Sequence, residues 1–229
     1  MFGVFVNVIT VIVGSLVGLL FKKGIPERVS KAAMIGLGAC TLYIGISGSL
    51  CGENVLILIA SVVLGAICGT LLDIDGRLNR LAEAVERKFR KEGQKISLAE
   101  GLVSATLLFC VGSMTVTGSI QAGLTGDNSV LITKATLDLV SSMMLSSSLG
   151  IGVLLSAGSV LVIQGGLVLL AGLIAPFMST GAINEMTCAG SLLIVMIGTN
   201  LMGISKFKVA DYLPAILLAP LIYNIVVLF

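Results

Sequence analysis

The chain reads as an all-α integral membrane protein of about eight transmembrane helices, and three observations carry that reading. Hydrophobic residues make up 56% of its 229 residues and charged residues only 11%, where a soluble domain carries about 25%. Mean hydropathy is +1.11. The charges fall almost entirely between apolar stretches long enough to cross a bilayer.

Windows of about 19 residues place the spans at Phe2–Phe21, Ala32–Leu50, Val55–Leu72, Leu98–Gly118, Ser129–Gly150, Ile151–Pro176, Thr187–Ile204 and Tyr212–Phe229. The first has no basic leader before it and is long enough to span, so it reads as a helix of the fold and not as a cleaved signal. The fourth is the least regular: glycines and hydroxyls crowd Gly112–Gly118, which predicts a broken or re-entrant segment. The fifth and sixth are barely separated and predict a tight helical hairpin. The whole of 1–229 is expected to be one polytopic membrane domain.

Lys22, Lys23, Arg28 and Lys31 follow span one, seven basic residues between Arg77 and Lys95 follow span three, and Lys206 and Lys208 follow span seven. With eight spans these loops share one side, which the positive-inside rule makes cytoplasmic. The opposite loops carry Glu53, Asp127 and Glu185. The expected location is the inner membrane with both termini outside. The linker at 73–97 repeats Ile74, Leu78, Leu81, Val85 and Phe89 at steps of three and four, so it reads as a cytoplasmic amphipathic helix. Its basic face suits an anionic leaflet, making membrane lipids a partner. Near-balanced charge and the lack of an aromatic platform exclude nucleic acid.

An internal echo suggests a 3+3 inverted repeat around the central hairpin. Glu27, Thr41 and Gly45-Ile46-Ser47 return as Glu185, Thr199 and Gly203-Ile204-Ser205 at one constant offset, and Asn7 falls opposite Gln164. Such repeats characterise secondary transporters; coincidence is the competing explanation in a chain rich in glycine, isoleucine and serine. Gly14/Gly18 and Gly65/Gly69 are G-x-x-x-G matches, which serve packing within the protomer or a homodimer.

Lys134 and Asp138 are two charges set inside one apolar span, four residues apart and therefore on one helix face. Ionisable groups at that depth cost several kcal/mol, about 2.5–3.5 on the lowest scales. They face a partner, a cavity or a substrate path. The expected binding set is Asp138, Lys134, Asn200, Asn7, Gln164 and Thr115, with Asp138 holding a cation, a proton or a substrate amine. The bland alternative is a structural ion pair. No histidine, no C-x-x-C and no phosphate loop occur, so no metal, no cofactor and no enzymatic activity are expected.

The chain resembles the bacterial domain-of-unknown-function 554 family, the YqgA/YdfK-type inner-membrane proteins, over nearly its whole length. The resemblance rests on Asn7, Ile25-Pro-Glu-Arg28, Leu124-Thr-Gly-Asp127, Ser129 to Lys134, Leu137-Asp138, Gly150-Ile-Gly-Val153, Gln164-Gly165, Glu185-Met-Thr187, Gly198-Thr-Asn-Leu201 and Leu213-Pro-Ala215. It implies a multi-pass protein described at most as a candidate transporter. The chain departs from the family pattern at Gly69-Thr70, where relatives tend to carry Gly-Glu, and at Leu139, often glycine. The expected function is a secondary transporter or channel-like carrier of a small solute or ion. The alternative is a membrane scaffold or signalling subunit acting through the 73–97 helix.

Overall fold

The computed structural model describes residues 1–22, 27–77, 79–80, 98–111 and 113–227. Over these it is 87% helical and contains no strand. Nine helices of twelve or more residues organise the described residues: α1 (Phe2–Lys22), α2 (Glu27–Ser49), α3 (Val55–Leu71), α4 (Leu98–Cys110), α5 (Ser113–Leu124), α6 (Ser129–Leu149), α7 (Ile151–Leu169), α8 (Thr180–Leu201) and α9 (Pro214–Val227).

The molecule is built for an apolar solvent. Phe5, Ile9, Val13, Leu16 and Leu20 form an exposed stripe on α1, and α3 and α6 carry comparable stripes, while Asn7, Ser119, Lys134, Asp138, Gln164 and Glu185 are buried. Exposed large apolar side chains over a polar interior reverse the soluble pattern and mark a multi-pass membrane protein. Five helical segments are long and apolar enough to cross a bilayer: Phe2–Phe21, Ser129–Leu149, Ile151–Leu169, Thr180–Leu201 and Val209–Val227. The bent pair α4–α5 makes a sixth. The apolar part of α2 (Ile35–Ser49) and α3 are shorter, so length and composition alone do not reach the expected eight.

Contacts at glycines fix the relative directions. Gly3, Gly14 and Gly18 of α1 lie against Asn128–Leu131, Leu139–Ser142 and Met143–Ser146, so α1 and α6 run parallel. Gly38 and Gly45 of α2 meet Gly198 and Ser191–Val195 of α8, and Gly65 and Gly69 of α3 meet Ala215 and Asp211; both pairs are antiparallel. The bundle therefore has an Asn128 end and a Gly150 end. The G-x-x-x-G glycines are spent on these contacts within the chain.

The fourth span is broken, as its glycines predict, with α4 and α5 meeting at 60°. It is not re-entrant. Gly101 of α4 lies against Leu149 and Gly152 at the Gly150 end, whereas Gly123 of α5 lies against Val168 and Ala171 at the opposite end. Together the two helices cross the bundle from end to end. The hairpin between α6 and α7 is a single residue, Gly150 at φ 85 and ψ −152, a conformation open essentially to glycine alone.

Two expectations need correction. α8 begins at Thr180, seven residues before the expected start, because Ser179 caps it by accepting a hydrogen bond from the Ala182 amide at 3.3 Å. This places Glu185 inside the helix and buries it, whereas the sequence reading gave it to a loop. The echoed triplets also differ in form: Gly45-Ile46-Ser47 is helical, while Gly203 follows α8 at φ 75. Of the 73–97 linker, 74–77 and 79–80 are helical, and 81–97 lie outside the described residues.

Candidate functional site

α6 presents Leu131, Lys134, Ala135, Asp138, Ser142 and Leu145 to the interior, one face at steps of three and four. Lys134 donates to the Asp138 carboxylate in a buried ion pair, each residue only 5% exposed. The Phe109 ring, near the end of α4, lies 5.9 Å from the ammonium, within cation–π range. Asn7 of α1 sits beside the Asp138 carboxylate and donates from Nδ2 to Gln164 Oε1 of α7 at 3.1 Å. Thr115 of α5 reaches back across the break to donate to the Phe109 carbonyl at 2.9 Å, and so helps to place the ring over Lys134.

These residues form a polar layer between two apolar clusters. Toward the Asn128 end lies a small cluster of Val4, Ala122, Leu131 and Val168. Toward the Gly150 end lies the large cluster that includes Val11, Phe109, Leu145 and Val160. One turn inward from each member of the small cluster stands a polar residue: Asn7 after Val4, Ser119 before Ala122, Lys134 after Leu131 and Gln164 before Val168. The layer has unused hydrogen-bonding capacity. Gln164 Nε2 and Ser119 Oγ, both in residues with no solvent exposure, have no partner among the described residues. Buried polar groups are paired in the great majority of cases; Ser15 Oγ, Thr106 Oγ1, Glu185 Oε2 and Thr187 Oγ1 are the other exceptions among the described residues.

The structure thus brings Asp138, Lys134, Asn7, Gln164 and, through Phe109, Thr115 together. Asn200 stands apart. At the end of α8 its Nδ2 donates to the Phe207 carbonyl at 2.8 Å, while its Oδ1 accepts from Ser205 Oγ at 2.7 Å and the Phe207 amide at 2.9 Å. It closes the 203–207 turn, a structural task that the sequence does not distinguish from binding.

Asn200 does line a cavity of about 430 Å³ at the Gly150 end, with Asp75, Glu100, Ser104, Lys206 and Lys208. Burial, and next Asp211, push the Asp75 carboxyl above its ordinary range. Ser104 is among the cavity's buried lining residues. Phe109 stands five residues further along α4, roughly 7.5 Å of helical rise. Neither Lys134 nor Asp138 lines the cavity.

Two features escaped the sequence reading. Ser119 sits one turn after Thr115 and Phe109 six residues before it, across the helix break, and only the packing of the helices reveals their level. Glu185 Oε1 accepts from the amides of Glu53 and Asn54 at 2.8 Å each, clamping the α2–α3 turn to α8, and Oε2 has no partner among the described residues. Cys51 and Cys188 flank it as free thiols. No group of His, Cys, Asp and Glu among the described residues has the arrangement of a metal site.

Residues 2–224 match the family model described as "Protein of unknown function (DUF554)". The chain is 33% identical over 230 residues to the "Uncharacterized membrane protein YdfK" of Bacillus subtilis (strain 168), covering 99% of this chain and 97% of the relative. It is 31% identical over 220 residues to the "Uncharacterized protein YqgA" of Escherichia coli (strain K12), covering 95% and 94%. No solved structure matches. On a match across almost its full length, this chain belongs to the DUF554 family of membrane proteins.

Proposed function

We propose that the protein is a secondary transporter of a small solute or ion, with the polar layer as its binding site. The observation that carries this reading is the layer itself: a buried Lys134–Asp138 pair and an unpartnered Gln164 Nε2, lying between two apolar clusters. Intramembrane charges of this kind line substrate paths, and a site closed on both sides is one state of an alternating-access cycle. The gate toward the Asn128 end is a single level of four side chains. The gate toward the Gly150 end is led by Phe109, and the cavity beyond it is the vestibule. A swing of α4 against α5 at their break would lift Phe109 from Lys134 and join layer to vestibule.

The topology we propose has eight spans, with α2 and α3 as the shorter two and α4–α5 as one. Arg28, Arg77, Arg80, Lys206 and Lys208 then lie at the Gly150 end and Glu53 and Asp127 at the other, which favours an inner-membrane orientation with the Gly150 end cytoplasmic and both termini outside. The inverted repeat belongs to the same proposal. It draws support from the packing of α2 on α8 and of α3 on α9, and from the Asn7–Gln164 bond between α1 and α7, although α1 packs chiefly on α6.

The test is transport by proteoliposomes carrying the full chain, scored by solute-induced swelling or current across a panel of amino acids, organic acids, amines and inorganic salts. A solute signal that disappears in a folded Asp138→Asn variant is expected. An Asp138→Asn signal equal to wild type would overturn the assignment.

A further inference from the structure

We propose that the solute is a small zwitterion, carrying an ammonium and a carboxylate on neighbouring atoms as an α-amino acid does. This rests on the transporter reading and narrows it. The argument is one of charge conservation inside the layer. Lys134 and Asp138 neutralise each other, and each is 5% exposed. The other members of the layer, Asn7, Ser119, Gln164 and Thr115, are neutral, and Glu185 is committed to the 53–54 turn. A lone cation binding Asp138 would strand the Lys134 ammonium with only the Phe109 ring. A lone anion binding Lys134 would strand the Asp138 carboxylate. An uncompensated charge in a buried setting is strongly unfavourable. A ligand bearing both charges inserts into the pair and leaves neither alone.

The unpartnered groups give the ligand a direction. Gln164 Nε2 can only donate, so the group that meets it is an acceptor, and it lies in the same layer as the lysine. The carboxylate end of the ligand therefore faces Lys134 and Gln164, with the Ser119 hydroxyl as a further donor. The ammonium end faces Asp138, beside Asn7. Glycine and alanine are the simplest ligands of this kind.

The experiment is equilibrium binding to the full chain in lipid nanodiscs, with glycine and alanine set against methylammonium, acetate and sodium chloride at equal concentration. Expected is stabilisation and saturable binding with the two zwitterions only, abolished in Lys134→Met/Asp138→Leu. Gln164→Leu should weaken it about tenfold, the loss of one hydrogen bond to a charged group. Ser119→Ala, a milder change, should weaken it in the same direction in a protein whose unassisted thermal stability is unaltered. Binding of methylammonium, acetate or sodium that depends on Lys134 and Asp138 would overturn the zwitterion while leaving the transporter standing. Zwitterion binding that survives the double substitution would overturn the site. Absence of binding by both zwitterions would overturn the inference, and the proteoliposome panel then decides the transporter reading separately.

Discussion

Removing Lys134 alone should damage the protein more than removing the whole pair. In Lys134→Met the Asp138 carboxylate stays buried with neutral Asn7 beside it, and breaking a buried pair in this way costs about 3–5 kcal/mol. Asp138→Asn should cost less, about 2 kcal/mol, because the stranded ammonium keeps the Phe109 face at 5.9 Å, an interaction worth about 2 kcal/mol when desolvated. In Lys134→Met/Asp138→Leu both charges leave together, and stability should return to within about 1 kcal/mol of wild type. With Asp138→Leu alone, at a similar cost, as the second single variant, the coupling energy of the cycle is about 5–6 kcal/mol, above the usual range of about 0.5–3 kcal/mol for neighbouring residues. The chain has no tryptophan, so reversible unfolding in mixed micelles is best followed by circular dichroism. Transport should be absent in all these variants, including the stable double one. A Lys134→Met cost below about 1 kcal/mol would refute the buried pair, and full transport by the double variant would reduce it to a structural element.

Gly18→Ala should lower unfolding free energy by about 1–3 kcal/mol, the usual cost of overpacking. Its added Cβ would overlap the Met143 carbonyl and Ser146 Oγ, and the same micelle titration reads the loss. Glu185→Ala should cost about 2–5 kcal/mol by leaving the Glu53 and Asn54 amides without an acceptor, whereas Glu185→Gln, which keeps one carbonyl oxygen, should recover most of it. The Ser129 amide, donating at 2.9 Å, holds the Asp127 carboxyl below the usual range. Its contribution should be intact above about pH 4, the ordinary carboxylate pKa, and fade as pH falls through the lowered one. Carboxyl carbon shifts followed against pH check this, and a midpoint at or above the ordinary value would contradict the stabilisation of the carboxylate by the Ser129 amide.

Much of the fold is written in the chain because membrane helices declare themselves through composition, and their loops through charge. The hairpin at Gly150 and the break after Cys110 were legible for local reasons: glycine clusters where a helix cannot continue smoothly. The start of α8 was not. A hydropathy window shifts away from a glutamate, and so it discarded the turn that Ser179 caps and moved Glu185 into a loop. The site was half legible. Lys134 and Asp138 announce themselves by their cost in an apolar span, and Asn7 and Gln164 by their mutual offset. Ser119 is one serine among many, and only its level beside Ala122 singles it out. Asn200 misled for the same reason in reverse, since an asparagine that ties a turn and one that binds a solute look alike in one dimension.

The single-residue joint at Gly150 makes a pair of compasses of α6 and α7. Asp138 lies twelve residues from the pivot on one leg and Gln164 fourteen on the other, roughly 18 and 21 Å of helix. Opening the legs by about 10° would part these residues by about 3 Å, the length of a hydrogen bond. Neither helix needs to bend, unwind or slide for this to happen. The smallest joint in the molecule thus sits where a slight rotation has its largest effect on the polar layer.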